Sequence, residues 1–82
     1  MKLLITRRTQ KKLDRIPDSP AKNIINKIKL LSKNTHPTNS KKLQGKNIYR
    51  LRVGIFRVLY TIDKKKKEIT ILRIADRKKI YR

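Results

Sequence analysis

Cysteine and tryptophan are absent from this 82-residue chain, histidine occurs once and glycine only twice. Without cysteine there are no disulfides to brace a thin core, which excludes the small secreted domains held together by them. One histidine and no thiol cannot assemble a zinc-type ligand set, so no metal and no other cofactor is expected. His36, beside Pro37 in a polar stretch, is read as exposed and idle. No segment approaches the ~20 apolar residues of a membrane span, and the opening run through Leu3, Leu4 and Ile5 is too short for a signal peptide. A cytoplasmic chain with no membrane partner is expected. Acids are scarce as well: Asp14, Asp18, Asp63, Glu68 and Asp76 stand against 25 Lys and Arg, a net charge of +20. Such one-sided charge opposes compaction and favours a polyanionic partner, nucleic acid first and an acidic protein second.

What the chain does have is concentrated between Gly45 and Asp63. Tyr49, Leu51 and Val53 alternate with Arg50 and Arg52, and Phe56, Val58, Tyr60 and Ile62 repeat the alternation after Gly54-Ile55. A period of two turns one face to a core, and a Gly-X pair between two such runs predicts a type II′ hairpin. In that register Val53 faces Phe56, Leu51 faces Val58 and Tyr49 faces Tyr60, while Arg52 faces Arg57 on the other side with Arg50 two residues away. Like charges directly opposite cost up to ~1 kcal/mol. The arrangement is more readily understood if an anion belongs between them, and the arginine fork matches phosphate. Composition alone also allows a solvated basic face.

The rest of the chain reads as a scaffold for that hairpin. All 82 residues make one domain, short enough to bury only about 60 to 65% of its unfolded surface. Residues 3–6 are an apolar run that reads as a short buried edge strand, although four residues do not separate strand from helix. Residues 8–16 form a short helix with Leu13 and Ile16 on one face, closed by Pro17. Ser19 as N-cap and Pro20 at the first position open a second helix, whose apolar stripe is Ala21, Ile24, Ile25, Ile28 and Leu31, with Asn34 as its stop. Residues 34–46 read as a polar loop. The lysine run 64–67 reads as an exposed connection, and residues 69–74 as a strand apolar on both sides and therefore internal to a sheet.

Taken in order, Lys41-Lys42-Leu43-Gln44-Gly45, Tyr49-Arg50-Leu51-Arg52-Val53-Gly54, Phe56-Arg57-Val58-Leu59-Tyr60 and the closing Asp76-Arg77-Lys78-Lys79-Ile80-Tyr81-Arg82 closely resemble the RelE/ParE superfamily of toxins of type II toxin-antitoxin systems, nearest to the RelE branch. The resemblance spans essentially the whole chain. It implies an α+β fold, similar to microbial ribonucleases, in which a small antiparallel sheet carries two N-terminal helices on one face. It also implies an endoribonuclease that cuts messenger RNA on the ribosome and inhibits translation, silenced by an acidic antitoxin. The free toxin would be a monomer, oligomeric with its antitoxin.

Carried over by position, the resemblance makes Arg50, Arg52, Arg57, Arg77 and Tyr81 the catalytic set. Lys46, Lys78, Lys79 and Arg82 are added as RNA-binding cations. Where many relatives place a histidine before the arginine matching Arg77, this chain has Asp76, which is open to two readings: acid-base group, or salt-bridge partner of a neighbouring arginine. Arginine itself is not deprotonated in proteins, so Arg50 and Arg52 do not supply the base. Two rival functions keep the same fold: a ParE-like poison of DNA gyrase, and a basic RNA-binding module with little or no catalysis.

Overall fold

The computed structural model describes residues 2–35, 40–43 and 47–76. The elements are β1 (Lys2–Ile5), α1 (Arg7–Arg15), α2 (Asp18–Leu31), β2 (Ser40–Lys42), β3 (Ile48–Val53), β4 (Phe56–Asp63) and β5 (Glu68–Asp76), and the strands form one sheet in the order β1-β5-β4-β3-β2. This is the expected α+β fold with one refinement: β1 runs parallel to β5, so the sheet is antiparallel only across its other pairs. The α1–α2 pair is the crossover that lets the chain leave β1 at one edge and re-enter the sheet at the other.

Thr6 starts α1 because its hydroxyl accepts the Thr9 amide, and Pro17 ends it by forcing Ile16 into extended backbone at φ −83°, ψ 137°. The helix thus begins one residue earlier than the apolar pair alone suggests. In α2 the correction is larger. Its N-cap is Pro17, with no side-chain cap, and the Pro17 carbonyl accepts the Ala21 amide. Ser19 and Pro20 fall inside the first turn, where a missing N–H costs nothing and Asp18 complements the helix dipole. The helix ends at Leu31 rather than Asn34.

Leu13, Ile16, Ile24, Ile28 and Leu31 from the helices pack on Leu51, Val53, Phe56, Val58, Tyr60, Ile69, Ile71 and Ile74 from the strands, forming one core on one sheet face. Ile25, expected in the stripe, is 37% exposed. The opposite face carries no helix among the described residues, and the site lies there.

The hairpin forms in the expected register, with Val53 opposite Phe56 and Arg52 opposite Arg57. Gly54 has φ +60° while Ile55 does not have positive φ, which is the II′ pattern. Tyr49 and Tyr60 stack with centroids 5.5 Å apart.

The buried Tyr60 hydroxyl donates to the Thr35 carbonyl at 2.9 Å, fixing the chain beyond α2 against the sheet. Tyr60→Phe keeps the ring and strands that carbonyl, and should cost about 1 kcal/mol. A thermal melt should show this as a fall of about 4–8 °C. Burial raises the phenol above its ordinary value of 10.0. An exposed tyrosine in the unfolded chain therefore ionises first, so this contribution is intact below pH 10 and is lost as pH rises beyond it.

One expectation about strands is corrected and one is borne out with an added cause. Residues 40–42, read as part of a loop, form edge strand β2 by backbone pairing with β3, which Ser-Lys-Lys does not advertise in its side chains. The apolar run in β5 is internal, lying between β1 and β4, but its broken alternation has a second cause. Leu59 pairs with Arg73 while the next residue, Tyr60, pairs with Ile71, leaving Leu72 as an extra residue in a β-bulge. His36 lies outside the described residues.

Candidate nucleic-acid interface

On the helix-free face the ladders set side chains in rows. One row runs Lys41, Arg50, Leu59, Arg73 across β2, β3, β4 and β5, and the next runs Arg52, Arg57, Ala75 across β3, β4 and β5. Arg50, Arg57 and Arg73, each from a different strand, border a groove of about 440 Å³ with Leu43, Leu59 and Ala75 as its apolar lining. Arg50 and Arg57 are half-buried, and Arg73 is exposed at the rim. Neighbouring strands lie about 4.8 Å apart, so Arg50 and Arg73, two strands apart, flank Leu59 at a backbone separation of about 10 Å. Long side chains spanning that gap can grip a phosphodiester from two sides while a base rests on leucine and alanine.

Of the arginines expected from the sequence, Arg50 and Arg57 meet in this groove. Arg52 shares the face, opposite Arg57, without lining the groove. The backbone of Asp76 pairs with Phe56 at the end of β5. Arg77, Tyr81, Lys46, Lys78, Lys79 and Arg82 lie outside the described residues.

Arg73 was not among the expected site residues. Counting by two from Ile69 and Ile71 would assign it to the core face. The bulge at Leu72 shifts the phase, so that Arg73 stands outward beside Leu59 and Ile74 inward beside Val58. The available signal was Ile74, an apolar residue at the wrong parity.

Among the described residues no three His, Cys, Asp or Glu side chains gather as a metal-binding set, and no helix is long and apolar enough to cross a membrane. A second basic hollow, about 670 Å³, lies along α1 with Arg7, Arg8, Lys11, Lys12 and Arg15 on its wall. Its cations come from a single helix, whereas the sheet groove draws arginines from three strands.

Comparison with known proteins places the fold in context. The chain is similar to RelE in the archaeal RelE–RelB complex from Pyrococcus horikoshii OT3, at 27% identity over 93% of both chains with a TM-score of 0.84. It is similar to the RelB–RelE antitoxin–toxin complex from Methanococcus jannaschii at 29% identity, covering 95% of this chain and 94% of that one, TM-score 0.74. The isolated E. coli RelE toxin shares the fold at 14% identity, with 92% and 82% covered and a TM-score of 0.80. No curated protein matches the sequence. The model of the ParE toxin of type II toxin-antitoxin systems, parDE, matches residues 3–81, and the chain therefore belongs to this toxin family.

Proposed function

We propose that this toxin is a ribosome-dependent endoribonuclease that cuts messenger RNA. The observation that carries the reading is the meeting of Arg50, Arg57 and Arg73, from three strands, around an apolar-lined groove on the helix-free face. RNA cleavage of this kind begins when the 2′-hydroxyl loses a proton and attacks the adjacent phosphorus in line. The new P–O bond closes a cyclic phosphate as the bond to the 5′-oxygen breaks, and that oxygen takes up a proton. Negative charge builds on the equatorial oxygens, and fixed cations aimed at it supply what is usually the largest catalytic contribution.

Arg57 on the central strand is assigned that role, and Arg77 shares it by the family motif. Arg50 and Arg52 hold the backbone, contacts that position rather than specify. Tyr81 stacks on a base or transfers a proton. Asp76 stands where relatives supply a histidine and is the carboxylate available as base. Because that base is weak, the ribosome is assigned the task of fixing in-line geometry, an effect worth up to ~7 to 11 kcal/mol.

The net charge of +20 and the RelB-bound state of similar toxins support an acidic antitoxin as the cellular partner. A chain this basic is destabilised by self-repulsion and gains stability from an acidic partner that binds only its folded form.

The matched ParE model favours a second reading, inhibition of DNA gyrase. In vitro translation followed by primer extension separates the two. Cleavage is expected within codons occupying the ribosome, faster for Asp76→His than for the natural chain. An intact messenger alongside inhibited gyrase supercoiling would replace the nuclease reading with the second one.

A further inference from the structure

The outward arginines of β3 and β4 follow from plain alternation, but Arg73 does not. Its orientation is made by the bulge at Leu72, where β5 spends two residues against one step of β4. A bulge interrupts the β4–β5 ladder, so β5 beside it is held by its other neighbours.

On the side away from β4 these are the end of the parallel ladder, where Ile5 pairs with Ile71, and the start of α1. The Thr6 amide donates to the Ile71 carbonyl at 3.3 Å, and the Thr9 hydroxyl donates to the same oxygen at 3.3 Å. Thr6 Oγ1 accepts the Thr9 amide at 3.2 Å and sits 2.7 Å from Thr9 Oγ1. Each hydroxyl has one proton. With the Thr9 proton on the Ile71 carbonyl, the 2.7 Å contact takes the proton of Thr6, whose 3.5 Å approach to the Leu72 carbonyl is the weaker alternative. The result is a continuous chain from Thr6 to Thr9 to the carbonyl preceding the bulged residue.

Thr9 is 1% exposed and is the one buried polar residue among the described ones. A hydroxyl buried to this degree is costly unless its bonds are made, and an apolar residue of the same shape would fill the space equally well. Its hydrogen bond to β5 is what valine would not supply.

We infer that Arg73 is a third phosphate-contacting residue of the groove, and that Thr6 and Thr9 are positioning residues that aim it by holding the bulge at Leu72. This rests on RNA as the ligand of the groove, though not on cleavage. It joins the covered face of the sheet to the open one: the N-terminal turn of α1 sets the direction of a side chain on the far side of β5.

The test uses the full chain and a short single-stranded RNA with 2′-O-methyl at every position, which cannot be cut. Its affinity is measured by fluorescence anisotropy across a salt series. Removing one cation from a phosphate makes the slope of log K against log salt shallower by ~0.7 for a single strand. Arg73→Gln should show that change, with affinity falling by about tenfold at low salt. Thr9→Val, measured well below its melting midpoint, should show the same shallower slope. Combined with Arg73→Gln it should add nothing further, since the two act as one unit. Thr9→Ser keeps the hydroxyl and should restore the slope.

A purely structural Thr9 would lower the melting temperature and leave the slope at its natural value, and that result would overturn the positioning role. An unchanged slope in Arg73→Gln would overturn the phosphate contact. Should Thr9→Val not fold, Thr6→Ala at the half-exposed end of the same chain carries the same expectations. A toxin that shows these slope changes yet leaves messenger intact on ribosomes would end the nuclease reading and leave this inference standing.

Discussion

Arg57→Ala should lower ribosome-dependent messenger cleavage by about 10²- to 10³-fold, the loss usual when one preorganised donor to a developing oxyanion is removed. Its affinity for uncut RNA should fall by tenfold or less. The split follows from where Arg57 sits. It belongs to β4, which has two strands on either side, and its side chain is half-buried between Arg52 on β3 and Ala75 on β5. A fork held on a rigid central strand keeps its aim as charge moves onto the phosphoryl oxygens, and partial exclusion of water strengthens the interaction. On the proposed reading Arg50 and Arg73, toward the flanks of the groove, would meet backbone charge that is the same before and during reaction. Their replacement should weaken binding and cleavage together. Single-turnover cleavage on programmed ribosomes, beside anisotropy with uncut RNA, measures both quantities. Parallel losses in Arg57→Ala would mean that the groove only binds, and the basic RNA-binding module would then be the better description.

The hairpin was legible because its alternation is clean over both arms and its turn carries a glycine where positive φ is required. Register, face and the pairing of Arg52 with Arg57 all follow from those two features. Strand β2 was not legible because Ser-Lys-Lys at a sheet edge is held by backbone bonds, which leave no mark on side-chain pattern. The start of α2 was misplaced because Ser19-Pro20 is a strong local signal, yet Pro17 had already broken the chain and its extended backbone nucleates the turn. Arg73 was hidden for a different reason. Parity along β5 is reset by one extra residue, and what fixes that residue is a threonine pair more than sixty positions earlier in the chain. Local periodicity describes a face only between bulges. A site built across one has to be found from contacts.

Ile24→Ala should cost about 2–5 kcal/mol, whereas Ile25→Ala, one residue along the same helix, should change stability by no more than about 0.5 kcal/mol. Sequence periodicity places both in the apolar stripe of α2. The structure separates them: Ile24 is 0% exposed against the strand residues of the core, and Ile25 is 37% exposed. Both replacements gain a few tenths of a kcal/mol in helix propensity, because isoleucine loses rotamer freedom in a helix and alanine loses none. At Ile25 that gain nearly offsets the modest apolar area given up. At Ile24 it is overwhelmed by a cavity that the surrounding isoleucines and the rigid sheet cannot collapse to fill. A domain of 82 residues is expected to have a total stability of about 4–12 kcal/mol, so the buried replacement removes a large share of it. In urea titrations followed by circular dichroism, Ile25→Ala should overlay the natural chain. Ile24→Ala should unfold at far lower denaturant or be largely unfolded at the start. Equal midpoints for the two variants would mean that α2 is not seated on the sheet through Ile24, and the helix-covered face would have to be redrawn.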